Sequence, residues 1–429
     1  MIFGFGKKED NEPTIDEEYE FVKFKGATND KNPNLSQAQR LVDVGLIPAK
    51  ELITDALLRR AEMMRIDPKG AQSQLTLYID GLPYSGGRLG KQEANAITQM
   101  LKMLAGLNVK VRDKKQASGL RAELEGFKYL LDIAVTPTAS GERLVIRVQD
   151  LSYNLITLED MGGSEDLKLK LREVLSSNGF LGVVGPPNSG TTTTTQGVMR
   201  GLDPYLNQMF SMGDIGREEL PNITAFEFNP GETLKEAMTR CFRQEADIIY
   251  LNKLTDAETT NTFLNFHNEG KLVSEFAAAN AAAGLVQLVE WTQNPQLVVD
   301  SVRGVMSQLL IRRLCDSCKQ VFRPNPTFLA KAGLPKDLTQ LCRRAPQGEE
   351  FDPCDDCDAL GFQGRVALFE LIEMSDGMKK VILNTPTTEA IRAQAKKEGM
   401  HGLQQDGLRL VAEGVTSLDE LQRAFRARR

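Results

Sequence analysis

The chain has 429 residues, 41% hydrophobic and 26% charged, with a formal net charge of −6 and a pI near 5.4. That length accommodates two or three domains, and the composition is ordinary for a globular protein. The acidic balance points away from a nucleic-acid-binding surface. No apolar run approaches the ~20 residues of a membrane-spanning helix, and no signal peptide is expected.

Residues 1–35 are polar and turn-rich, with Asp10-Asn11-Glu12-Pro13 and Asn29-Asp30-Lys31-Asn32-Pro33, and read as a mobile tail. The opening Met1–Lys8 reads as a frayed terminus, with insertion into a membrane surface as the alternative. Helical periodicity starts near Ser36. Over Lys50–Met63 the apolar Leu52, Ile53, Ala56, Leu57 and Ala61 recur at steps that predict an amphipathic helix. Gln74–Gly81 alternates as a strand and ends on the turn Asp80-Gly81. A helix over Lys91–Ala105 and strands over Gly119–Val135 and Glu142–Val148 complete a small α+β domain at 36–155.

A helix over Ser164–Ser176 then leads into Phe180-Leu181-Gly182-Val183-Val184-Gly185-Pro186-Pro187-Asn188-Ser189-Gly190-Thr191-Thr192. A buried strand, a Gly/Pro/Asn/Ser loop and a helix start form a phosphate loop, where backbone N–H groups at a helix N-terminus cradle an anion. The spacing Gly185-x-x-x-x-Gly190 fits the Walker A pattern, but its Lys position is Thr191. Thr192 keeps the hydroxyl that would meet Mg²⁺. Strands near Gln208–Met212, Ile223–Phe228, Asp247–Leu251 and Lys271–Phe276 alternate with helices at Thr233–Arg243 and Ala257–Glu269. This alternation predicts an α/β domain at 156–314 with a mostly parallel sheet and helices on both faces. Residues 284–314 read as helical, as does the whole C-terminal region 361–429.

Six cysteines lie at 241, 315, 318, 342, 354 and 357. Cys315-x-x-Cys318 and Cys354-x-x-Cys357 are the spacing of a tetrahedral thiolate zinc site within a subdomain at 315–360. Disulfides or metal-free thiols are the alternatives. Four Cys ligands leave no open position, so the zinc would be structural. Cys241 and Cys342 read as ordinary thiols.

Five segments occur in a telling order: the phosphate loop, Arg243–Thr259, Ile311–Lys319, Gly361–Leu371 and Gln405–Leu421. Together they resemble the type II secretion and type IV pilus assembly ATPases over roughly residues 50–429. The resemblance implies that 36–155 is a PAS-like domain and 156–314 a RecA-like P-loop domain, in a hexameric ring, homo- or hetero-oligomeric, cytoplasmic and peripheral to the inner membrane. Its implied partners are an inner-membrane platform protein or paralogous motor subunits. The additional N-terminal domain of that family is expected to be missing or reduced to the first 35 residues.

The resemblance also implies ATP and Mg²⁺, yet several elements depart from its pattern. Besides Thr191, the family's strand ending in Gly-Glu reads Asn252-Lys253. Its acidic box aligns with Gly213-Asp214-Ile215-Gly216-Arg217. Its two box histidines become Lys271 and Ala278, and two N-terminal-domain arginines become Tyr78 and Asp132. A charge-assisted hydrogen bond contributes roughly 1.5–3 kcal/mol. Losing about two with the Lys therefore weakens nucleotide binding by ~10²–10⁴-fold. The expectation is a weak phosphate site over Gly185, Asn188, Ser189, Gly190, Thr191 and Thr192, with Lys253 or Lys271 as a replacement cation or a mere surface ion pair. Arg312 and Arg313 read as contacts to a neighbouring subunit or as a helix-end cluster. The preferred reading is a non-hydrolysing homologue, a pseudo-ATPase acting as scaffold or regulator. A weak ATPase, or one completed in trans by another subunit, is the alternative. A zinc-stabilised interaction module unrelated to export is a third possibility.

Overall fold

The computed structural model describes residues 20–426 except 32, 34, 152–156, 214–219, 221 and 347–352. The chain divides into two compact units, residues 1–154 and 155–429.

In unit 1 the elements run β1 (Lys23–Ala27), α1 (Gln39–Leu58), β2 (Met63–Lys69), β3 (Gln72–Ile79), β4 (Leu82–Gly90), α2 (Lys91–Leu104), β5 (Gln116–Leu124), β6 (Phe127–Thr138) and β7 (Gly141–Asp150). They form a seven-stranded antiparallel sheet in the order β1-β5-β6-β7-β2-β3-β4. Helix α2 buries Ile97, Met100, Leu101 and Leu104, and α1 buries Leu52, Ile53, Ala56 and Leu57. Inside this core Lys102 is fully buried, its Nζ 2.6 Å from Glu142 Oε1 and 2.7 Å from the Val111 carbonyl. The buried charge is tolerated because it is paired and hydrogen-bonded.

Unit 1 corrects four expectations. The tail expected over 1–35 contains a strand, because β1 pairs with β5 and leaves Val22 and Ala27 fully buried; residues 1–19 lie outside the described residues. The helix read to Met63 stops at Leu58, and Met63 opens β2. The single strand read over 119–135 is a hairpin, turned at Glu125-Gly126 with φ 50° and 85°, the pair of positive φ values that a tight hairpin turn requires. Strand β4 went unread because Pro83, Gly86 and Gly87 hide its pattern. It is an edge strand, where such residues are tolerated.

In unit 2 the elements run α3 (Glu165–Val174), β8 (Gly179–Gly185), α4 (Thr191–Arg200), β9 (Met209–Met212), β10 (Ile223–Phe226), α5 (Leu234–Phe242), β11 (Ile248–Leu251), α6 (Ala257–Leu264), β12 (Lys271–Ala277), α7 (Ala281–Thr292) and α8 (Pro295–Ser301). Then follow β13 (Val302–Leu314), β14 (Gln320–Phe322), α9 (Pro326–Ala332), β15 (Leu341–Arg343), β16 (Phe362–Glu373), α10 (Asp376–Asn384), α11 (Thr388–Lys397), α12 (Leu403–Ala412) and α13 (Leu418–Arg426). The sheet order is β10-β9-β11-β12-β8-β13-β16, parallel except for β16. This is a mixed α/β fold with β8, the strand entering the phosphate loop, near the middle. All seven β8 residues are buried, as expected of a strand covered on both faces. One face packs Phe180, Val184, Leu272 and Phe276 on α5–α8, α10 and α11. The other packs Leu181, Val183, Val273 and Tyr250 on α3 and α4. A third cluster, around Ile311, Leu368 and Leu410, fastens α9, α12 and α13 to the β13–β16 pair.

Here two helical readings are corrected. Residues 302–314 are not helical but form β13, and the region from 361 opens with β16 before its four helices. The two strands pair along ten registered positions. Their apolar runs, such as Leu309–Ile311 and Val366–Phe369, are short and ambiguous by periodicity alone. Among the described residues no helix is long and apolar enough to cross a membrane.

Candidate functional site

The phosphate loop has the shape its sequence predicts. Strand β8 ends at Gly185, and helix α4 starts at Thr191 directly after Gly190. Gly190 has φ 82° and Asn188 φ 62°, left-handed backbone that glycine and asparagine adopt most easily. Gly185 is required by close approach: a Cβ there would stand 2.2 Å from Ser189 Oγ. Gln308 on β13 clamps the loop from below, its Nε2 donating to the Ser189 carbonyl at 2.5 Å. In the threonine run, Thr194 and Thr195 are buried, and Thr195 Oγ1 donates back to the Thr191 carbonyl at 2.9 Å.

The inner wall of the loop holds a residue that sequence reasoning passed over. Glu275 lies on β12 opposite Val183 of β8 and is 1% exposed. Thr192 Oγ1 donates to its Oε1 at 2.7 Å. Lys253 Nζ comes within 3.8 Å of the same oxygen, while the lysine side chain stays half in solvent. The other carboxylate oxygen, Oε2, is buried with no hydrogen-bond partner among the described residues. The same holds for Asn252 Oδ1, Ser189 Oγ, Gln308 Oε1 and the Tyr250 hydroxyl. Burial first, and then Glu275, pushes the Tyr250 phenol above its usual range. One signal was available: beyond Lys271 at its start, Glu275 is the charged residue in strand β12.

The structure therefore brings Gly185, Asn188, Ser189, Gly190, Thr191, Thr192 and Lys253 to one end of the sheet. It does not bring Lys271. That residue begins β12 opposite Gly179, six residues from the Gly185 end, and donates to Asn207 Oδ1 at 2.8 Å. At ~3.3 Å per residue this places Lys271 about 20 Å from the loop, so it cannot replace the missing lysine. Of the aligned acidic box, residues 214–217 lie outside the described residues. Tyr78 lies on β3 with the Arg65 guanidinium 5.8 Å from its ring centroid, and Asp132 stands opposite Arg147 across β6 and β7. Arg312 is neither at a helix end nor on the surface. It is buried on β13, 2.7 Å from Glu420 Oε2 and stacked 3.9 Å above the Phe362 ring. Arg313 is exposed and pairs with Asp316 at 2.7 Å.

These residues do not fit magnesium–nucleotide in the ordinary way. The loop carries threonine where a lysine would meet phosphate, whereas the buried Glu275 carboxylate beside the Thr192 hydroxyl is a pair of the kind that would hold Mg²⁺.

The second candidate site does fit its ligand. The Sγ atoms of Cys315, Cys318, Cys354 and Cys357 all lie within 4.8 Å of one another. Cys315 and Cys354 are 3.9 Å apart, and Cys318 and Cys357 3.7 Å. A zinc tetrahedron with bonds of about 2.3 Å has edges of about 3.8 Å. The Gly361 N–H donates to Cys357 Sγ at 3.2 Å, and Ser317 hydrogen-bonds Asp356 across the two turns. Cys241 and Cys342 are not in the cluster. Burial pushes the Cys241 thiol up to about 12.

The family model for the type II/IV secretion system protein family matches residues 42–423. The chain belongs to this family. It is 29% identical over 378 residues to the type IV pilus assembly ATPase PilB of Thermus thermophilus, covering 87% of this chain and 42% of that protein. To type II secretion system protein E of Pseudomonas aeruginosa it is 26% identical over 379 residues, covering 87% and 74%. The chain thus spans less than half of the Thermus relative. Among solved structures, the ATPase DotB of Legionella pneumophila aligns with a TM-score of 0.56 at 12% identity, over 88% of this chain and 95% of that one. The pilus retraction motor PilT with bound ADP aligns with a TM-score of 0.52 at 15% identity, over 87% and 96%. At such identities the likeness concerns the fold. The strand, loop and helix start of a phosphate site are present in this chain, with Thr191 at the loop's lysine position.

Proposed function

We propose that this chain is a non-hydrolysing member of the secretion family, acting as a scaffold or regulator at an inner-membrane assembly machine. The observation that carries this reading is the loop itself, which keeps the phosphate-loop backbone while Thr191 stands at the lysine position. ATP hydrolysis needs cations around the transferred phosphate and a positioned water. Here the loop from Gly185 to Thr195 carries no lysine or arginine. In this reading the chain sits in a hexameric ring, alone or with an active paralogous motor subunit, on the cytoplasmic face of the inner membrane. It holds a platform protein there. The four thiolates would hold a structural zinc that ties the turns after β13 and before β16.

A second reading is supported by Lys253, whose ammonium reaches the Thr192–Glu275 pair. It makes the chain a weak ATPase with a relocated lysine, or one completed in trans. Release of labelled phosphate from ATP separates the two. The full chain is expected to show no turnover above background, alone or with an excess of Mg²⁺. Turnover that disappears in Lys253→Ala would overturn the preferred reading and establish the second.

A further inference from the structure

We propose that the acidic segment Glu9–Glu18 docks on a basic loop of its own chain, Lys110–Lys115, and covers it against outside anions. The loop joins α2 to β5 and carries Lys110, Arg112, Lys114 and Lys115 against a single acid, Asp113, all five exposed. Its backbone is fastened from within. The Gln116 side chain donates to the Asn108 and Val111 carbonyls at 3.1 and 2.8 Å and accepts from the Asn108 N–H at 3.0 Å. The buried Lys102 Nζ donates to the same Val111 carbonyl at 2.7 Å. The cations therefore stand on a fixed base. Among the described residues Lys110, Lys114 and Lys115 make no ion pair, and Arg112 comes only within 4.0 Å of Glu142 while staying 60% exposed.

The complementary charge lies in the same chain. Residues 9–18 hold six acids, Glu9, Asp10, Glu12, Asp16, Glu17 and Glu18, and no lysine or arginine. Such a block of like charge is often an interaction tail. Strand pairing fixes how far it has to reach. Lys23 opens β1 opposite Glu123, and Gln116, where the loop ends, lies seven residues away along β5. At ~3.3 Å per residue that is about 23 Å. The chain from Lys23 back to Glu12 spans up to ~36 Å when extended, and back to Glu9 up to ~46 Å. Glu9, Asp10 and Glu12 therefore reach the loop with slack, and Asp16 reaches it at full extension. Lys7 and Lys8 precede the acids and oppose the docking, which limits its strength. Each exposed ion pair is weak by itself. A short tether raises the effective concentration of the acids to the millimolar range, so several weak pairs together keep the loop covered at low salt. The segment then acts as an internal competitor of any anionic partner. Every residue named lies in unit 1, so this inference is independent of whether the phosphate loop hydrolyses ATP.

The test is zero-length carbodiimide cross-linking of the full chain, read by mass spectrometry on a mixture of ordinary and isotope-labelled protein that separates bonds within a chain from bonds between chains. The expected result at low salt is amide cross-links from Glu9, Asp10, Glu12 or Asp16 to Lys110, Lys114 or Lys115 of the same chain. They should fall at least roughly tenfold in about 1 M NaCl, where the Debye length is about 3 Å. The second measurement is binding of a heparin fragment, as the probe anion, to the full chain and to a chain lacking residues 1–18, which keeps β1 and the buried Val22. Removing the segment should tighten heparin binding at least roughly tenfold, and Lys110→Glu with Lys114→Glu and Lys115→Glu should abolish that gain. Should the shortened chain misfold, Glu9→Gln, Asp10→Asn, Glu12→Gln and Asp16→Asn together in the full chain take its place. Cross-links found only between chains, or heparin binding equal with and without the acids, overturns the proposal. Anionic phospholipid vesicles that bind the full chain as tightly as the shortened one overturn it too, since the loop would then be open to a membrane surface.

Discussion

Arg312 shows how a single residue changes meaning once its surroundings are known. In the sequence it is one of two arginines before a cysteine. In the fold its guanidinium lies between Glu420 and the Phe362 ring, with the glutamate side chain fully buried. Burial alone would push the Glu420 carboxyl up, but hydrogen bonds from Arg423 and Arg312 outweigh it and hold the group below its usual range. A carboxyl lowered in the folded state contributes stability above its unfolded value of about 4.3, and that contribution is lost as pH falls through the folded value. Glu420→Gln is therefore expected to cost about 3 kcal/mol at neutral pH, because it leaves the Arg312 charge buried without its partner. Urea titrations should show this gap narrowing once the pH is brought below about 4. A gap of constant size across that range would mean the loss comes from packing instead. At the same scale, Lys271 and Lys253 were equivalent candidates in the sequence, and only strand register separated them. One lies at each end of the sheet.

At the scale of elements, the four-thiol cluster is a pair of turns pinned between β13 and β16. Neither turn has a core of its own beyond Cys315 and Cys357, both fully buried. A structural zinc supplies the cross-link such a segment lacks. Metal analysis of the purified chain is expected to find one zinc per molecule, and Cys354→Ser to find almost none. Because the site ties down the strands that carry Arg312 and Gln308, the variant should also lose several degrees of melting temperature. Equal zinc content in the two proteins would exclude this cluster as the ligand set. The element readings failed where chemistry masks period. Strand β13 sets Arg303, Ser307, Gln308, Arg312 and Arg313 among apolar residues without strict alternation, and β1 is only five residues long in a polar surrounding. Neither carries an alternation strong enough to identify it without its partners β16 and β5.

For the whole molecule the decisive fact is that each unit has its own sheet and its own buried core. Two cores predict two unfolding transitions in calorimetry. A strong chelator should lower only the transition belonging to unit 2. Removing residues 1–27 should lower only that of unit 1, because the loss of β1 strips a partner strand from β5 and leaves an open sheet edge. A single transition displaced equally by both treatments would show that the units unfold as one body. The same division bears on function. The phosphate loop, its clamp and the four-cysteine cluster all belong to unit 2, so both candidate sites lie within one folded unit.

By itself, the sequence determined the family, the strand–loop–helix of the phosphate loop and the pairing of the two C-x-x-C turns. These are encoded by spacing over a few residues, and spacing survives without knowledge of the fold. Only the tertiary structure decided what surrounds the loop. Glu275 and Thr192 are 83 residues apart, and Gln308 and Ser189 are 119 apart. Each pair meets because parallel neighbours β12, β8 and β13 are joined by long crossovers through helices. No local pattern records which strands become neighbours, so the loop's missing lysine was legible in the chain and the carboxylate behind it was not.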